Sequence, residues 1–206
     1  MIKNIIFDWS GVIKDALENH LWVVNRMFEK LGGEKLSLSE ITESWEQPFM
    51  KFYNKYFPEL TLEEQKVLYK EAITSKDGPK PRVYPGIVDL IKKLKEKRIP
   101  MVVLSSDMPD TFYPEMKDFG LENIFDDVFI NTHDKGEVIG ELLKRNNFKP
   151  EETVLIGDTN HELEIAKAVG TKVIAVTWGF CTEDKLKSIS PDYLVHNVKE
   201  LEEILL

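Results

Sequence analysis

Short apolar segments alternate with amphipathic helical segments along most of this chain, and that alternation most constrains the fold. The segments that favour strands are residues 2–7, 101–104, 128–130, 153–156, 172–176 and 192–195. They are rich in β-branched residues and nearly continuously apolar, as is typical of strands that are covered on both faces. Strands separated by helices favour right-handed βαβ units, so the pattern predicts an α/β fold with a doubly wound parallel sheet.

The helical segments between these strands show the expected spacing of apolar residues. In residues 86–98, Ile87, Leu90, Ile91 and Leu94 recur at the i, i+3, i+4, i+7 positions of one helix face. Further helices are predicted at residues 110–119, 135–146, 161–169 and 198–205. Each of them follows a predicted strand, which completes the βα alternation.

Residues 14–80 interrupt the alternation, because they contain three helical patterns and no convincing strand. Ser37 and Thr61 each begin a capping box, which indicates two helix starts. Turn-forming residues at 11–14 and 77–81 indicate two hinges. We therefore predict that residues 1–13 and 81–206 form the α/β core domain, that residues 14–80 form an inserted α-helical cap domain, and that the cap acts as a lid.

Composition excludes several classes of function. The chain has 206 residues and a net charge of −9, without a basic cluster that would bind nucleic acid. The single cysteine, Cys181, excludes an internal disulfide and fits a reducing compartment. No apolar stretch approaches the ~20 residues that a membrane-spanning helix needs, and the N-terminus shows no leader pattern. We expect a cytoplasmic protein, either a monomer or a homodimer, without a membrane or nucleic-acid partner.

Acidic residues follow two of the predicted strands. Asp8 follows the apolar residues 5–7, and Asp158 follows residues 153–156, with Glu162 four positions further on. The carboxyl ends of parallel strands meet at one edge of a sheet, where α/β proteins bind their ligands. Hard oxygen ligands of this kind suit Mg²⁺. These residues therefore predict a magnesium site at that edge.

Three further residues at the same predicted edge are suited to bind a phosphoryl group. Ser105 and Ser106 follow the strand at 101–104, and Lys135 follows the strand at 128–130. A carboxylate such as that of Asp8 can attack phosphorus once the charge of the phosphoryl oxygens is neutralised, and Mg²⁺ and a lysine can supply that neutralisation. Hydroxyl and backbone N–H groups can hold the oxygens.

In this order the motifs resemble those of the haloacid dehalogenase superfamily of hydrolases, and the match runs nearly end to end. The corresponding segments are Asp8-Trp9-Ser10-Gly11-Val12, Ser105, Lys135 and Gly157-Asp158-Thr159-Asn160-His161-Glu162. Segments 83–86 and 177–180 also resemble phosphoglycolate-phosphatase-type members. The resemblance implies a Rossmann-like core with a helical cap and a hydrolase that acts on a small phosphorylated metabolite.

The resemblance also implies roles for individual residues. Asp8 is the nucleophile that forms an aspartyl-phosphate, and Lys135 with Ser105 and Ser106 forms the phosphate cradle. Magnesium is held by Asp8, by the main-chain carbonyl of Ser10 and by Asp158, with Glu162 as a further ligand. We also expect Trp9, next to the nucleophile, to contact bound substrate.

Ser10 departs from the family pattern. The phosphatases have a second aspartate here, which protonates the leaving alcohol and then activates water, a role worth ~10²–10⁴-fold in rate. A serine hydroxyl replaces it poorly, so catalysis by Ser10 is expected to be weak. Binding of magnesium and phosphate should survive, because the metal contact at this position is a main-chain carbonyl.

Two alternatives to a phosphatase remain open. The motif around Ser10 most resembles the Asp-Trp-Ala-Gly of phosphonoacetaldehyde hydrolases, which cleave a C–P bond with a cap lysine as Schiff base. The cap lysines are Lys51, Lys55, Lys66 and Lys70. The second alternative is a degenerate member that binds phosphate or a protein partner without efficient turnover. Haloacid dehalogenases also lack the second acid, but they need no metal, and Asp158 with Glu162 argues for one.

Overall fold

The computed structural model describes residues 2–75, 77–132 and 134–206. The strands are β1 (Asn4–Phe7), β2 (Lys14–Asp15), β3 (Arg82–Val83), β4 (Met101–Leu104), β5 (Asp127–Phe129), β6 (Thr153–Gly157), β7 (Lys172–Val176) and β8 (Tyr193–Val195). The helices are α1 (Leu17–Lys30), α2 (Leu38–Ser44), α3 (Met50–Tyr56), α4 (Leu62–Ile73), α5 (Ile87–Glu96), α6 (Pro109–Asp118), α7 (Lys135–Arg145), α8 (Asn160–Ala168), α9 (Glu183–Ser188) and α10 (Val198–Leu205).

A parallel sheet forms the centre of the protein, and it confirms the predicted α/β class. Across the described residues its strand order is β5-β4-β1-β6-β7-β8. Strand β1 lies between β4 and β6, with Phe7 opposite both Val103 and Ile156. The chain order changes direction at β1, and such a switch point leaves a crevice at the carboxyl ends of the strands.

Helices cover both faces of the sheet because successive strand residues point to opposite sides. On one side Ile5 and Phe7 pack into a core with Ile87 and Leu90 of α5. On the other side Ile6 belongs to a core with Leu142 of α7. Residues 5–7 of strand β1 are therefore fully buried, which fixes the residue that follows them, Asp8, at the sheet edge.

Four helices, α1 to α4, lie in the described part of the chain between β2 and β3, where the sequence predicts three. The additional helix is α3, in the aromatic stretch between the two capping boxes. Both predicted capping boxes are confirmed. The Ser37 N–H donates to Glu40 Oε2 at 2.7 Å, and the Thr61 N–H donates to Glu64 Oε2 at 2.9 Å.

A short antiparallel ladder joins the two chain segments that lead into and out of this helical region. Lys14 pairs with Val83, and Asp15 pairs with Arg82. The sequence predicts a hinge at each of these connections and no strand. The ladder fixes the two connections side by side, so Lys14 is held close to the end of β1. Of the described helices, none is long and apolar enough to cross a membrane.

Candidate active site

A cavity of about 260 Å³ opens between the carboxyl edge of the sheet and helices α1, α3 and α4. Five of the predicted site residues line it: Asp8, Ser10, Ser105, Ser106 and Lys135. The other two, Asp158 and Glu162, are fully buried, and each has a carboxylate oxygen within 4.8 Å of a carboxylate oxygen of Asp8. The structure therefore brings all seven residues to one end of the sheet.

Lys135 connects two of the acidic residues of this cluster, Asp8 and Glu162. Its Nζ lies 2.7 Å from Asp8 Oδ1 and forms a second ion pair with Glu162. Asp8 Oδ1 also accepts a hydrogen bond of 2.7 Å from the backbone N–H of Trp9. Two donors thus fix the orientation of the Asp8 carboxylate. All three side chains are nearly inaccessible to solvent, so their charges interact strongly.

Burial shifts the titration of these groups in different directions. Burial, together with the charge of Glu162, raises the pKa of Asp8 well above its usual value. Burial alone would lower the pKa of Lys135, but the carboxylates of Asp8 and Glu162 outweigh it and raise that pKa. The pKa of Glu162 is lowered, because Lys135 outweighs the effect of burial. The two neighbouring carboxylates thus favour the charged form of Lys135 beside Asp8.

Asp158 provides the clearest indication that the cluster binds a cation. Its Oδ2 accepts a hydrogen bond of 2.6 Å from the Phe180 N–H. Its Oδ1 is buried and has no hydrogen-bond partner among the described residues. Burial and the charge of Glu162 raise the pKa of Asp158 to about 8. An unpartnered buried carboxylate oxygen next to other acids is costly unless a cation compensates for it.

Two glycines make room for the Asp158 carboxylate. A Cβ atom on either Gly11 or Gly179 would overlap its oxygen atoms. Gly11 also has a φ of +91°, which L side chains rarely adopt. The carboxylate is therefore enclosed between two backbone segments, and the donor set of hard oxygens fits Mg²⁺.

Glu162 has contacts that suit a positioning residue. Besides its pair with Lys135, its Oε2 accepts hydrogen bonds from the backbone N–H groups of Asp158, at 3.1 Å, and Thr159, at 3.3 Å. It thereby fixes the start of α8 and holds Lys135 towards Asp8. As a metal ligand Glu162 remains a prediction, since its position near Asp8 and Asp158 also fits that role.

We expect Mg²⁺ to raise the melting temperature of the protein, and we expect Asp158→Asn to remove this effect. A cation that binds only the folded state stabilises it by ~1.4 kcal/mol when its concentration is ten times its dissociation constant. For a domain of this size each kcal/mol raises the melting temperature by ~2–4 °C. In metal-free buffer the variant should melt no lower than wild type, because burial and Glu162 already disfavour the charged form of Asp158 and the amide is neutral. Differential scanning calorimetry with and without Mg²⁺ measures both effects.

The matched control for that experiment is Asp184→Asn, which changes an exposed acid on α9. It should keep the full Mg²⁺ shift. A Mg²⁺ shift that is equal in Asp158→Asn and Asp184→Asn would contradict the assignment of the cation site to Asp158.

The loop after β4 presents the hydroxyl groups of the predicted phosphate cradle. Ser105 Oγ accepts a hydrogen bond of 3.0 Å from the Asp107 N–H, which shapes the loop. Ser106 Oγ is buried and lacks a hydrogen-bond partner within the described part of the chain. Because Ser106 also lines the cavity, its hydroxyl is available to a phosphoryl oxygen.

Sequence reasoning missed a second buried charge network, which lies beside Ser10. Ser10 Oγ donates to both oxygens of Asp107, at 2.9 and 3.1 Å. Lys14 Nζ lies 2.9 Å from Asp107 Oδ2 and 3.0 Å from Glu115 Oε1. The sequence could have indicated Asp107 as a site residue, because it follows Ser105 and Ser106 at the same strand end. It could not have indicated Glu115, since that residue comes from the middle of α6.

The expectation that Trp9 contacts substrate is wrong. The Trp9 ring is fully buried and packs against Phe112, at 4.7 Å between centroids, and against Phe119, at 5.8 Å. Its Nε1 donates to Glu115 Oε2 at 3.1 Å. The side chain points into the core because residue 9 continues the period-2 alternation of β1, with Phe7 on the same face.

Known proteins are similar to this chain over most of its length. The model of the family described as haloacid dehalogenase-like hydrolase matches residues 5–176. Pyrophosphatase PpaX of Halalkalibacterium halodurans is 23% identical, with 99% of this chain and 97% of that protein covered. Phosphoglycolate phosphatase of Synechococcus elongatus is 24% identical, with 97% and 95% covered.

Solved structures agree on the fold. The crystal structure of a predicted phosphatase from Clostridium acetobutylicum superposes with a TM-score of 0.87, at 23% identity, over 100% of this chain and 99% of that one. The family match spans β1, the residues that surround the cavity and strands β4 to β7. On these grounds the chain belongs to the haloacid dehalogenase-like hydrolase family.

Proposed function

We propose that this protein is a magnesium-dependent phosphatase that hydrolyses a small phosphorylated metabolite through an aspartyl-phosphate on Asp8. One observation carries the proposal. A buried carboxylate, Asp8, pairs with the cation Lys135 at the wall of a cavity, and next to it lies Asp158, one of whose carboxylate oxygens is buried without a partner among the described residues. The names of the relatives, a pyrophosphatase and a phosphoglycolate phosphatase, support phosphoryl transfer as the reaction class.

In the first step an oxygen of Asp8 forms a bond to phosphorus, while the bond from phosphorus to the leaving oxygen breaks and its electron pair leaves with that oxygen. Lys135 and the hydroxyl groups of Ser105 and Ser106 would bind the phosphoryl oxygens. In the second step water attacks phosphorus and the bond to Asp8 breaks, which releases inorganic phosphate and regenerates the carboxylate.

Asp8, Asp158 and the main-chain carbonyl of Ser10 would hold the magnesium ion, with Glu162 next to them. When bound, the ion neutralises charge on the phosphoryl oxygens. The remaining residues position the reactants, since Glu162 orients Lys135 and the backbone N–H of Trp9 orients Asp8. The helices over the cavity would act as the lid that excludes water.

Ser10 replaces the family's proton-transferring acid, and the contact it makes bears on turnover. The Ser10 hydroxyl donates a hydrogen bond to Asp107. The pKa of Asp107 is lowered, because Lys14 and the hydroxyl groups of Ser10 and Ser105 outweigh the effect of burial. A carboxylate with a lowered pKa is a weak base and a poor proton donor at neutral pH. We therefore expect turnover to be limited by proton transfer to or from the reacting oxygens.

Moving the carboxylate from position 107 to position 10 should increase turnover. We expect the double variant Ser10→Asp, Asp107→Ser to exceed the kcat of wild type ~10-fold or more, within the range of general acid/base catalysis. Ser10→Asp alone should give no gain, because two carboxylates would then compete for Lys14. The measurement is kcat with Mg²⁺ on the best substrate of wild type.

Asp107→Ser alone is the control for this exchange, and it should not exceed wild type. If Ser10→Asp alone has the same kcat as the double variant, Asp107 does not reduce catalysis by the new aspartate at position 10. If the double variant is no faster than Asp107→Ser, proton transfer at position 10 does not limit turnover.

The phosphonatase alternative requires a lysine that is neutral at working pH, so that its amine attacks a carbonyl carbon. Lys14 lines the cavity, but its pKa is raised, since Asp107 and Glu115 outweigh burial. The cap lysines Lys66 and Lys70 pair with Glu63, at 3.1 Å, and with Asp110, at 2.7 Å. Each of these three lysines is engaged by a carboxylate and offers no unpaired amine to a carbonyl carbon, which supports the phosphatase over the C–P hydrolase.

A panel of phosphorylated metabolites, assayed for phosphate release with and without Mg²⁺, tests the proposed function. We expect Mg²⁺-dependent release from at least one phosphate ester and none from phosphonoacetaldehyde. Cleavage of phosphonoacetaldehyde with covalent trapping of a lysine by borohydride would support the alternative. Binding of phosphate without turnover of any ester would support the degenerate member.

A further inference from the structure

Aromatic rings form the wall of the cavity that faces the catalytic residues. Trp45, Phe49 and Tyr53 come from the region of α2 and α3, and Phe180 comes from the segment after β7. The ring of Trp45 stacks on Phe180 with centroids 5.7 Å apart, and it meets His20 edge to face at 4.4 Å. Rigid ring surfaces of this kind bind flat apolar groups well.

The cations that line the same cavity are already engaged by carboxylates. Among the described residues, the lining contains four lysines and no arginine. Lys135 pairs with Asp8 and Glu162, and Lys14 pairs with Asp107 and Glu115. The two at the open side, Lys66 and Lys70, pair with acids on the surface. A second anionic group on a substrate would therefore have to compete with a carboxylate for each lysine of the described lining.

The buried network beside Ser10 makes the region still less favourable for an anion. Lys14 is one positive charge between the two acids Asp107 and Glu115. His20 adds no charge at neutral pH, because burial and the nearby Lys14 lower its pKa to about 4. A carboxylate brought here would lose its hydration without gaining an ion pair.

Val67 of α4 is an apolar side chain at the mouth of the cavity. It lines the cavity although it is 65% exposed to solvent. Together with Phe49 it extends the apolar wall to the opening. The cavity has a volume of about 260 Å³, just below the ~300–1,000 Å³ typical of small-molecule sites. A volume of this size suits a small ligand, such as a phosphoryl group with a single ring.

From the aromatic wall and the pairing of every lining lysine we infer that the substrate is a phosphate ester whose leaving group is an uncharged ring, and that the site discriminates against anionic leaving groups. This inference rests on the proposed phosphatase function and narrows its substrate class. It separates this protein from its relatives, because phosphoglycolate and pyrophosphate both carry a second anionic group. The sequence similarity to those enzymes would then reflect the shared phosphoryl chemistry and not a shared leaving group.

Binding of three phosphonates tests the inference independently of turnover. The probes are benzylphosphonate, 4-carbamoylbenzylphosphonate and 4-carboxybenzylphosphonate, of which the last two have similar size and differ in charge. Isothermal titration calorimetry on the full chain with Mg²⁺ should show the amide binding at least ~10-fold more tightly than the carboxylate. Equal or tighter binding of the carboxylate, or no binding of any probe, would overturn the inference.

A single exposed substitution should change this preference. Val67→Lys adds a cation at the mouth without disturbing a buried contact, and we expect it to reduce the preference for the amide over the carboxylate at least ~3-fold. Val67→Gln, which is polar but uncharged, should leave the preference as in wild type. An equal change in both variants would show that charge does not set the selectivity.

Turnover distinguishes failure of this inference from failure of the proposed function. If phenyl phosphate and phosphoglycolate are both hydrolysed in an Asp8-dependent reaction, with phosphoglycolate preferred, the phosphatase stands and the inference on the leaving group fails. If the amide phosphonate binds preferentially but no ester is turned over, the ligand preference stands and the proposed reaction fails.

Discussion

Asp8→Asn is expected to reduce kcat by at least ~10⁴-fold, on the scale seen when a nucleophile is removed from an enzyme that acts through a covalent intermediate. The amide nitrogen and oxygen keep the shape of the side chain but cannot attack phosphorus as a carboxylate does. The measurement is Mg²⁺-dependent phosphate release from phenyl phosphate under saturating substrate.

The same variant should remain folded, which separates a chemical effect from a structural one. Burial and the charge of Glu162 already raise the pKa of Asp8, so a neutral side chain relieves repulsion within the cluster. Lys135 keeps its second partner, Glu162. We therefore expect a melting temperature at or above that of wild type. A variant that retains a tenth or more of the activity would contradict the role of Asp8 as nucleophile.

Lys135→Met is expected to have the second largest effect, because it damages stability and catalysis together. The substitution leaves Asp8 and Glu162 buried without their shared cation. Removal of one partner from a buried ion pair costs about 3–5 kcal/mol. Loss of a cation that stabilises phosphoryl oxygens costs a further ~10²–10³-fold in kcat. Chemical denaturation and steady-state kinetics measure the two effects.

A second substitution tests whether the stability loss arises from unpaired charge. In Lys135→Met, Glu162→Gln the excess negative charge is reduced, so we expect most of the lost stability to return while kcat stays low. Lys144→Met is the matched control, because Lys144 is exposed on the same helix α7, and it should change stability by less than ~0.5 kcal/mol. A double variant as unstable as Lys135→Met would contradict the electrostatic explanation.

The α/β alternation was predictable because strands buried on both faces have a strong sequence signal. The apolar residues 5–7 and the helical spacing in α5 both fix an element by local pattern alone. Helix α3 was not predicted, since it has only seven residues, three of them aromatic, and no side-chain cap. The β2–β3 ladder was not predicted either, because two-residue strands have no periodicity, and their pairing depends on the tertiary fold.

In the candidate site, too, the sequence predicts the residues that local patterns place and misses the contacts that form only in the folded protein. Asp8, Ser105 and Asp158 each follow a recognisable strand, so their convergence could be predicted from the topology of a parallel sheet. The contact of Ser10 with Asp107 spans 97 positions, and the pair of Lys14 with Glu115 joins strand β2 to helix α6. Such pairs depend on side-chain directions that no single segment of the sequence contains.

Mass spectrometry of the Asp8 peptide after acid quench is the most direct measurement of the central claim. Wild type mixed with phenyl phosphate and Mg²⁺ should carry one phosphoryl group on Asp8 within the first turnover. The intermediate should accumulate, because Ser10 assists its hydrolysis poorly. Asp8→Asn should carry none. A phosphoryl group on any other residue would contradict the mechanism. So would phosphate release by wild type if phosphorylated Asp8 is detected at no quench time.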